Sequence, residues 1–188
     1  AILAQAVWAQ GIPSNPTPAG NHPPPAAMSW DQTIQEWLID EKHCVAGGLA
    51  AKEDGALYAA APVEEEAGWA LIYSEPHEED VMQDDGETAK KQIDEAACLL
   101  AVSQGKRPEN GLWIAGEKYT ITRQEEDKIG DTDVKITVAN RPKKGAVIFT
   151  SKTQIVVGLY NEEVDNQVCG NCRKAVHGFT DYLIGEGY

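Results

Sequence analysis

The 188-residue sequence predicts an α/β domain of the α+β type, a central antiparallel sheet with the N- and C-terminal helices on one face and small helices on the other. Three observations carry this reading. Between Leu112 and Tyr160 the apolar residues recur with a period of two, in short runs separated by turn residues, and strands this closely spaced must pair antiparallel. At the C-terminus Cys172, Val176, Phe179 and Leu183 recur at steps of four, three and four, which puts one apolar stripe on a helix. Near the start Trp30, Ile34, Trp37 and Leu38 fall at i, i+4, i+7 and i+8 and make a second stripe.

Residues 1–27 hold six of the ten prolines and end in His22-Pro-Pro-Pro-Ala-Ala27, a composition that favours an extended, solvated chain. They are read as an extension or tag preceding a folded domain over 28–188. The apolar start, 1–9, has no basic flank and does not read as a signal peptide. Ser29-Trp-Asp-Gln32 has the form of a capping box that opens the first helix. Cys44 to Ala50 and Ala56 to Ala61 are small-residue strands joined around Lys52-Glu-Asp-Gly55, whose Asp-Gly pair signals a hairpin. Gly47 and Gly48 point to close backbone approach in that sheet.

The acidic region that follows, with Glu64-Glu-Glu66 and Glu78-Glu-Asp80, reads as a solvated loop interrupted by one helical turn bearing Trp69, Leu71 and Tyr73. Asp94 caps a helix through Ala96, Ala97, Leu100 and Ala101 that stops at Gly105. Strands are then expected at Leu112 to Ala115, Lys118 to Arg123, Thr132 to Ala139, Ala146 to Thr150 and Gln154 to Tyr160. Turns separate them at Gly116-Glu117, Asp127 to Asp131, Pro142 to Gly145 and Lys152-Thr153. The last helix runs from Asn171 to Ile184.

The net charge is −14, and residues 53–95 carry most of it, with 14 acids against two lysines. From residue 96 onward 12 acids balance 12 bases. That distribution argues against a nucleic-acid surface over the whole chain and leaves room for a local basic face in the C-terminal half. Lys118, Arg123, Arg141, Lys143, Lys144, Arg173 and Lys174 are candidates for it.

Catalytic patterns are poor. His22, His43, His77 and His177 lie in unrelated contexts, and neither a Gly-rich phosphate loop nor a GxSxG is present. Cys169-Gly-Asn-Cys172 is a CxxC at a helix start, where exposed N–H groups can favour a thiolate, so a thiol oxidoreductase is an alternative reading. Such proteins place the motif early in the fold, whereas here one helix follows it. A zinc site would need two more ligands, and Cys44, Cys98 and His177 have no ligand spacing. No metal or cofactor is expected. Trp37, Trp69 and Trp113 are read as core. Trp30, Tyr182 and Tyr188 are set apart, because two terminal helices lying side by side would make of their rings a shallow groove suited to an extended proline helix.

These features, in their order, resemble the profilin family. The resemblance rests on the Ser29-Trp30 start, Ala46-Gly-Gly-Leu-Ala50 followed by Glu53-Asp-Gly55, and the run Pro108-x-Asn-Gly-Leu-Trp-Ile-x-Gly-x-Lys-Tyr119. Lys143-Lys-Gly145, Ile155-Val-Val-Gly-Leu-Tyr-Asn-Glu-Glu163 and Asp181-Tyr-Leu-Ile184 complete it. The acidic region, Trp69 and the long hairpin around 124–132 look most like the profilins of apicomplexan parasites. The resemblance implies a non-enzymatic, cytoplasmic monomer of the cytoskeleton that binds monomeric actin and regulates its polymerisation, linking it to proline-rich segments of formin-type proteins. Carried over by position, the actin face comprises Lys118, Arg123, Arg141, Arg173 and Lys174, and the poly-proline groove Trp30, Tyr58, Tyr182 and Tyr188. Where many relatives carry a tyrosine three residues after the first tryptophan this chain has Thr33, which implies weaker or more selective proline binding. Family members also suggest phosphoinositides as a weaker partner and a host innate immune receptor as a further one; a secreted ligand of such a receptor is the other alternative reading.

Overall fold

The computed structural model describes residues 29–82 and 86–188. The extension expected over 1–27 lies outside the described residues. The described residues open with helix α1, Trp30–Ile34, whose cap is the Ser29 hydroxyl accepting from the Gln32 N–H. It continues without a break into a π-helical turn, Gln35–Ile39, in which the Asp40 N–H bonds to the Gln35 carbonyl. Strands β1, Ala46–Ala51, and β2, Leu57–Ala61, form the predicted hairpin. A 3₁₀ turn, Glu64–Glu66, leads into helix α2, Ala67–Ile72. Strands β3, His77–Met82, and β4, Thr88–Ile93, pair as a separate two-stranded arm. Helix α3, Glu95–Ser103, is capped by the Asp94 carboxylate accepting from the N–H groups of Ala96 and Ala97. Strands β5 (Leu112–Ile114), β6 (Glu117–Ile129), β7 (Thr132–Arg141), β8 (Lys144–Thr150) and β9 (Gln154–Asn161) precede the last helix, α4, Cys169–Gly185.

Seven strands form one antiparallel sheet in the order β2-β1-β9-β8-β7-β6-β5. Alternation along β9 sorts the core into two layers. Ile155, Val157 and Leu159 pack with Leu99, Val102 and Ile72 of α3 and α2 on one face. Val156 and Tyr160 pack with Ile34, Leu38, Cys172, Val176, Phe179 and Leu183 of the two terminal helices on the other. The predicted architecture, with terminal helices sharing one face, is therefore what the chain adopts. Two small residues make it possible. A Cβ on Gly47 would lie 2.5 Å from Leu38 Cδ1, so the first helix can approach β1 only over a glycine, and Gly158 does the same for α4 on β9.

Two expectations need correction. The acids of 78–80 do not sit in a solvated loop; they alternate along β3 opposite Gln92, Lys91 and Lys90 of β4. Val81 and Ile93 turn inward and join the core, which anchors the arm. Strand β6 also runs on to Ile129 rather than ending at Arg123, with a bulge between Ile121 and Arg123, so the β6–β7 turn tightens to Gly130-Asp131.

Candidate binding surfaces

The two terminal helices bring aromatic rings together along their shared edge. Trp30 meets Tyr188 edge to face at 5.1 Å between ring centroids. Trp37 stacks on Tyr182 at 5.3 Å and on Phe179 at 6.1 Å. These separations lie within the range in which such pairs gain stability beyond their buried area. Gly178 lies beneath the Trp37 ring, and a Cβ there would sit 3.5 Å from it, in van der Waals contact.

Each ring is held by a local device. The tail after α4 curls back, with Gly187 at φ 93° and the Tyr188 N–H bonded to the Leu183 carbonyl, and so turns Tyr188 onto Trp30. A residue with a side chain resists that positive φ, which explains a glycine at 187. Asp31 fixes α1 to the edge strand β2 by accepting from the Ala60 N–H at 2.8 Å. Tyr58 occupies the bulge of β2 and donates to Gln154 Oε1 at 2.6 Å. Burial, then the neighbouring Tyr188 phenol, push the Tyr58 hydroxyl up to about 12. Trp30, Tyr58, Tyr182 and Tyr188 thus share one surface. Thr33 turns its hydroxyl back on the Ser29 carbonyl and adds no ring.

Trp37 corrects the sequence reading. The apolar stripe puts it in the core, but it is 37% exposed, stacked on Tyr182. The π-helical turn keeps Ile34 and Leu38 buried while Trp37 leans toward α4. A signal was available: Trp37 is seven residues after Trp30, two turns along the same side of the helix. Of the other two tryptophans, Trp113 is buried as expected, and Trp69 is partly buried against the core of the opposite face.

The five cations fall into two groups. Arg141 pairs with Glu117, which Lys144 also approaches, and its guanidinium lies over the Tyr119 ring at 5.9 Å. Lys118 extends over Trp113 at 5.8 Å, beside that group at the β5–β6 end. Arg173 pairs with Glu125 at 2.5 Å, tying the start of α4 to β6, and Arg123 lies two residues from Glu125 on the same strand. Lys174 follows Arg173 and is exposed. Among the described residues Lys118, Arg123 and Lys174 have no ionic partner, so their charge is available to a ligand. Lys174 and Tyr182 are eight residues apart on α4, roughly 12 Å along its axis at 1.5 Å per residue. Lys174 and the ring cluster therefore lie toward opposite ends of one helix.

Cys172 is fully buried on the inner side of α4 and Cys169, at the start of the same helix, is partly exposed. Among the described residues no group of three or more His, Cys, Asp or Glu side chains is placed to hold a metal ion. No described helix is long and apolar enough to cross a membrane.

The model of the family described as Profilin matches residues 28–188. The chain belongs to the profilin family. It is 29% identical over 163 residues to the profilin of Plasmodium falciparum (isolate 3D7), covering 82% of this chain and 94% of that one. With the profilin of Plasmodium berghei it shares 25% over 163 residues, covering 83% and 93%. These matches bear out the resemblance to apicomplexan profilins. Acanthamoeba castellanii profilin IA has the same fold, with a TM-score of 0.54 at 19% identity over 85% of this chain and all of that one. A Schizosaccharomyces pombe profilin gives 0.55 at 18%, with the same coverage. Profilins are non-enzymatic actin-binding proteins.

Proposed function

We propose that this chain is a cytoplasmic regulator of actin polymerisation that binds monomeric actin through the basic residues of β6, β7 and α4, and a proline-rich segment of a formin-type partner in the groove between its terminal helices. The observation that carries it is the aromatic floor in which Trp30 meets Tyr188 and Trp37 meets Tyr182, on a chain of the profilin family. An extended proline helix is stiff and presents flat rings, so docking on such a floor costs little ordering entropy. Trp37 supplies a large ring near the place where Thr33 adds none.

On the other surface Lys118, Arg123, Arg141, Arg173 and Lys174 face an acidic partner, steering encounter and fixing register more than adding affinity. Because the surfaces are separate, one small domain holds both ligands at once and raises the actin concentration near a tethered nucleator. The test is a three-component mixture of this protein, monomeric actin and a proline-rich peptide, followed by size-exclusion chromatography. Co-elution of all three is expected. If the peptide displaces actin, the two-surface reading is wrong.

A further inference from the structure

Cys44 and Cys172 are 128 residues apart in sequence, yet their Sγ atoms lie 3.3 Å apart, both side chains at most 1% exposed. Cys44 stands between the first helix and β1, its N–H bonded to the Leu38 carbonyl, and Cys172 is in the first turn of α4. Both sulfurs rest on Gly158 of β9, where a Cβ would come within 3.1 Å of one and 3.3 Å of the other. The absent side chain leaves them facing each other. Three residues before Cys172 on the same helix, Cys169 is partly open to solvent. The function proposed above uses none of these thiols.

We propose that Cys44 and Cys172 form a reversible disulfide under oxidation by hydrogen peroxide, with Cys169 as the entry point, so that a covalent bond ties the segment that follows the first helix to α4. Direct attack on the inner pair is slow. Burial first, and the hydrogen bond shared with Cys44 next, push the Cys172 thiol well up, and the thiolate is the reactive form. Oxidation therefore starts outside. The Cys169 thiolate attacks the peroxide; the O–O bond breaks, Cys169 becomes a sulfenic acid and one water leaves. Cys172 Sγ attacks the Cys169 sulfur, forming an S–S bond and releasing the second water. Cys44 Sγ then attacks Cys172 and returns Cys169 as a thiol. In sum the two buried thiols lose two hydrogens and the peroxide leaves as two waters.

The test uses the full chain in dilute solution, treated with hydrogen peroxide, alkylated and digested with trypsin without reduction. The expected product joins peptide 43–52 to peptide 153–173 within one chain, with a mass about 2 Da below their sum once the alkyl group on the free cysteine is counted; fragmentation places that group on Cys169, and a thiol reductant separates the two peptides. The same bond should form in Cys169→Ser, more slowly, and thermal denaturation should show a higher Tm for the oxidised wild type, because the closed loop is long. Equal rates in wild type and Cys169→Ser would overturn the relay. A fully alkylated Cys44 beside an oxidised Cys169, or a bond between chains, would overturn the assignment itself.

Discussion

At the scale of single residues, the groove depends on how few atoms hold each ring. Trp30→Ala removes the partner of Tyr188 and should weaken a proline-rich peptide by about 30-fold or more, the about 2 kcal/mol typical of a central aromatic anchor. Trp37→Ala should weaken it too, whereas a core role would predict loss of stability with binding intact. Peptide titration followed by fluorescence, alongside thermal melts, separates the two. Gly158→Ala tests the packing beneath. Its new Cβ would meet Val176 Cγ2 at 2.5 Å, so urea unfolding should show a loss of about 1–3 kcal/mol. Trp30, Tyr182 and Tyr188 were legible as a group from their places at the ends of the chain's folded part, and Tyr58 was added to them only by the resemblance. Trp37 was hidden because Ile34 and Leu38, which share its stripe, are core residues, and the π-helical turn that sets it apart from them leaves no mark in the spacing.

At the scale of elements, legibility followed the period of the apolar residues. Strands β7 to β9 alternate over two buried faces and are rich in Val and Ile, so propensity and pattern agree. The β3–β4 arm could not be read that way. Glu78, Glu79 and Asp80 are poor strand formers, and what holds them is the lysine-bearing strand opposite and the inward Val81 and Ile93. That information is tertiary. The arm joins the body through Glu95, which is 3% exposed and whose carboxylate accepts from the N–H of Ser74 at 2.9 Å and of Gly116 at 2.7 Å. Glu95→Ala strands both donors and should cost about 1–3 kcal/mol in urea unfolding, with faster amide exchange at Ser74 and Gly116. Asp94→Ala, by contrast, removes only a cap and should cost about 1 kcal/mol. The basic face was legible as a cluster of charges, but its division was not. Which cations are neutralised depends on Glu117 and Glu125, brought to them by strand pairing and by the docking of α4 on β6.

At the scale of the whole molecule, charge and burial set the response to solution conditions. The net charge of −14 is concentrated in 53–95, so the basic strip is a local exception on an acidic protein. Its attraction to an acidic partner should fall as salt rises and the screening length shortens, with association rates dropping more than dissociation rates change. Alkaline pH acts through the phenols. Tyr58, Tyr119 and Tyr160 are each raised chiefly by burial, Tyr58 to about 12. The unfolded chain releases these protons near the ordinary value of about 10, before the folded chain does. Stability from this source is therefore complete below about pH 10 and lost as pH rises through the folded values. Thermal melts should decline steeply above about pH 10, and less so in Tyr58→Phe.

The most direct test of the central claim is calorimetric titration of this protein into ATP-loaded monomeric actin, repeated with Lys174→Glu. Lys174 is exposed and has no ionic partner among the described residues, so reversing its charge leaves the fold intact. Saturable one-to-one binding, weakened by about tenfold or more in the variant, about 1.4 kcal/mol, is the predicted result. Undetectable binding by the wild type, or equal affinity in the two, would contradict the assignment of this face to actin.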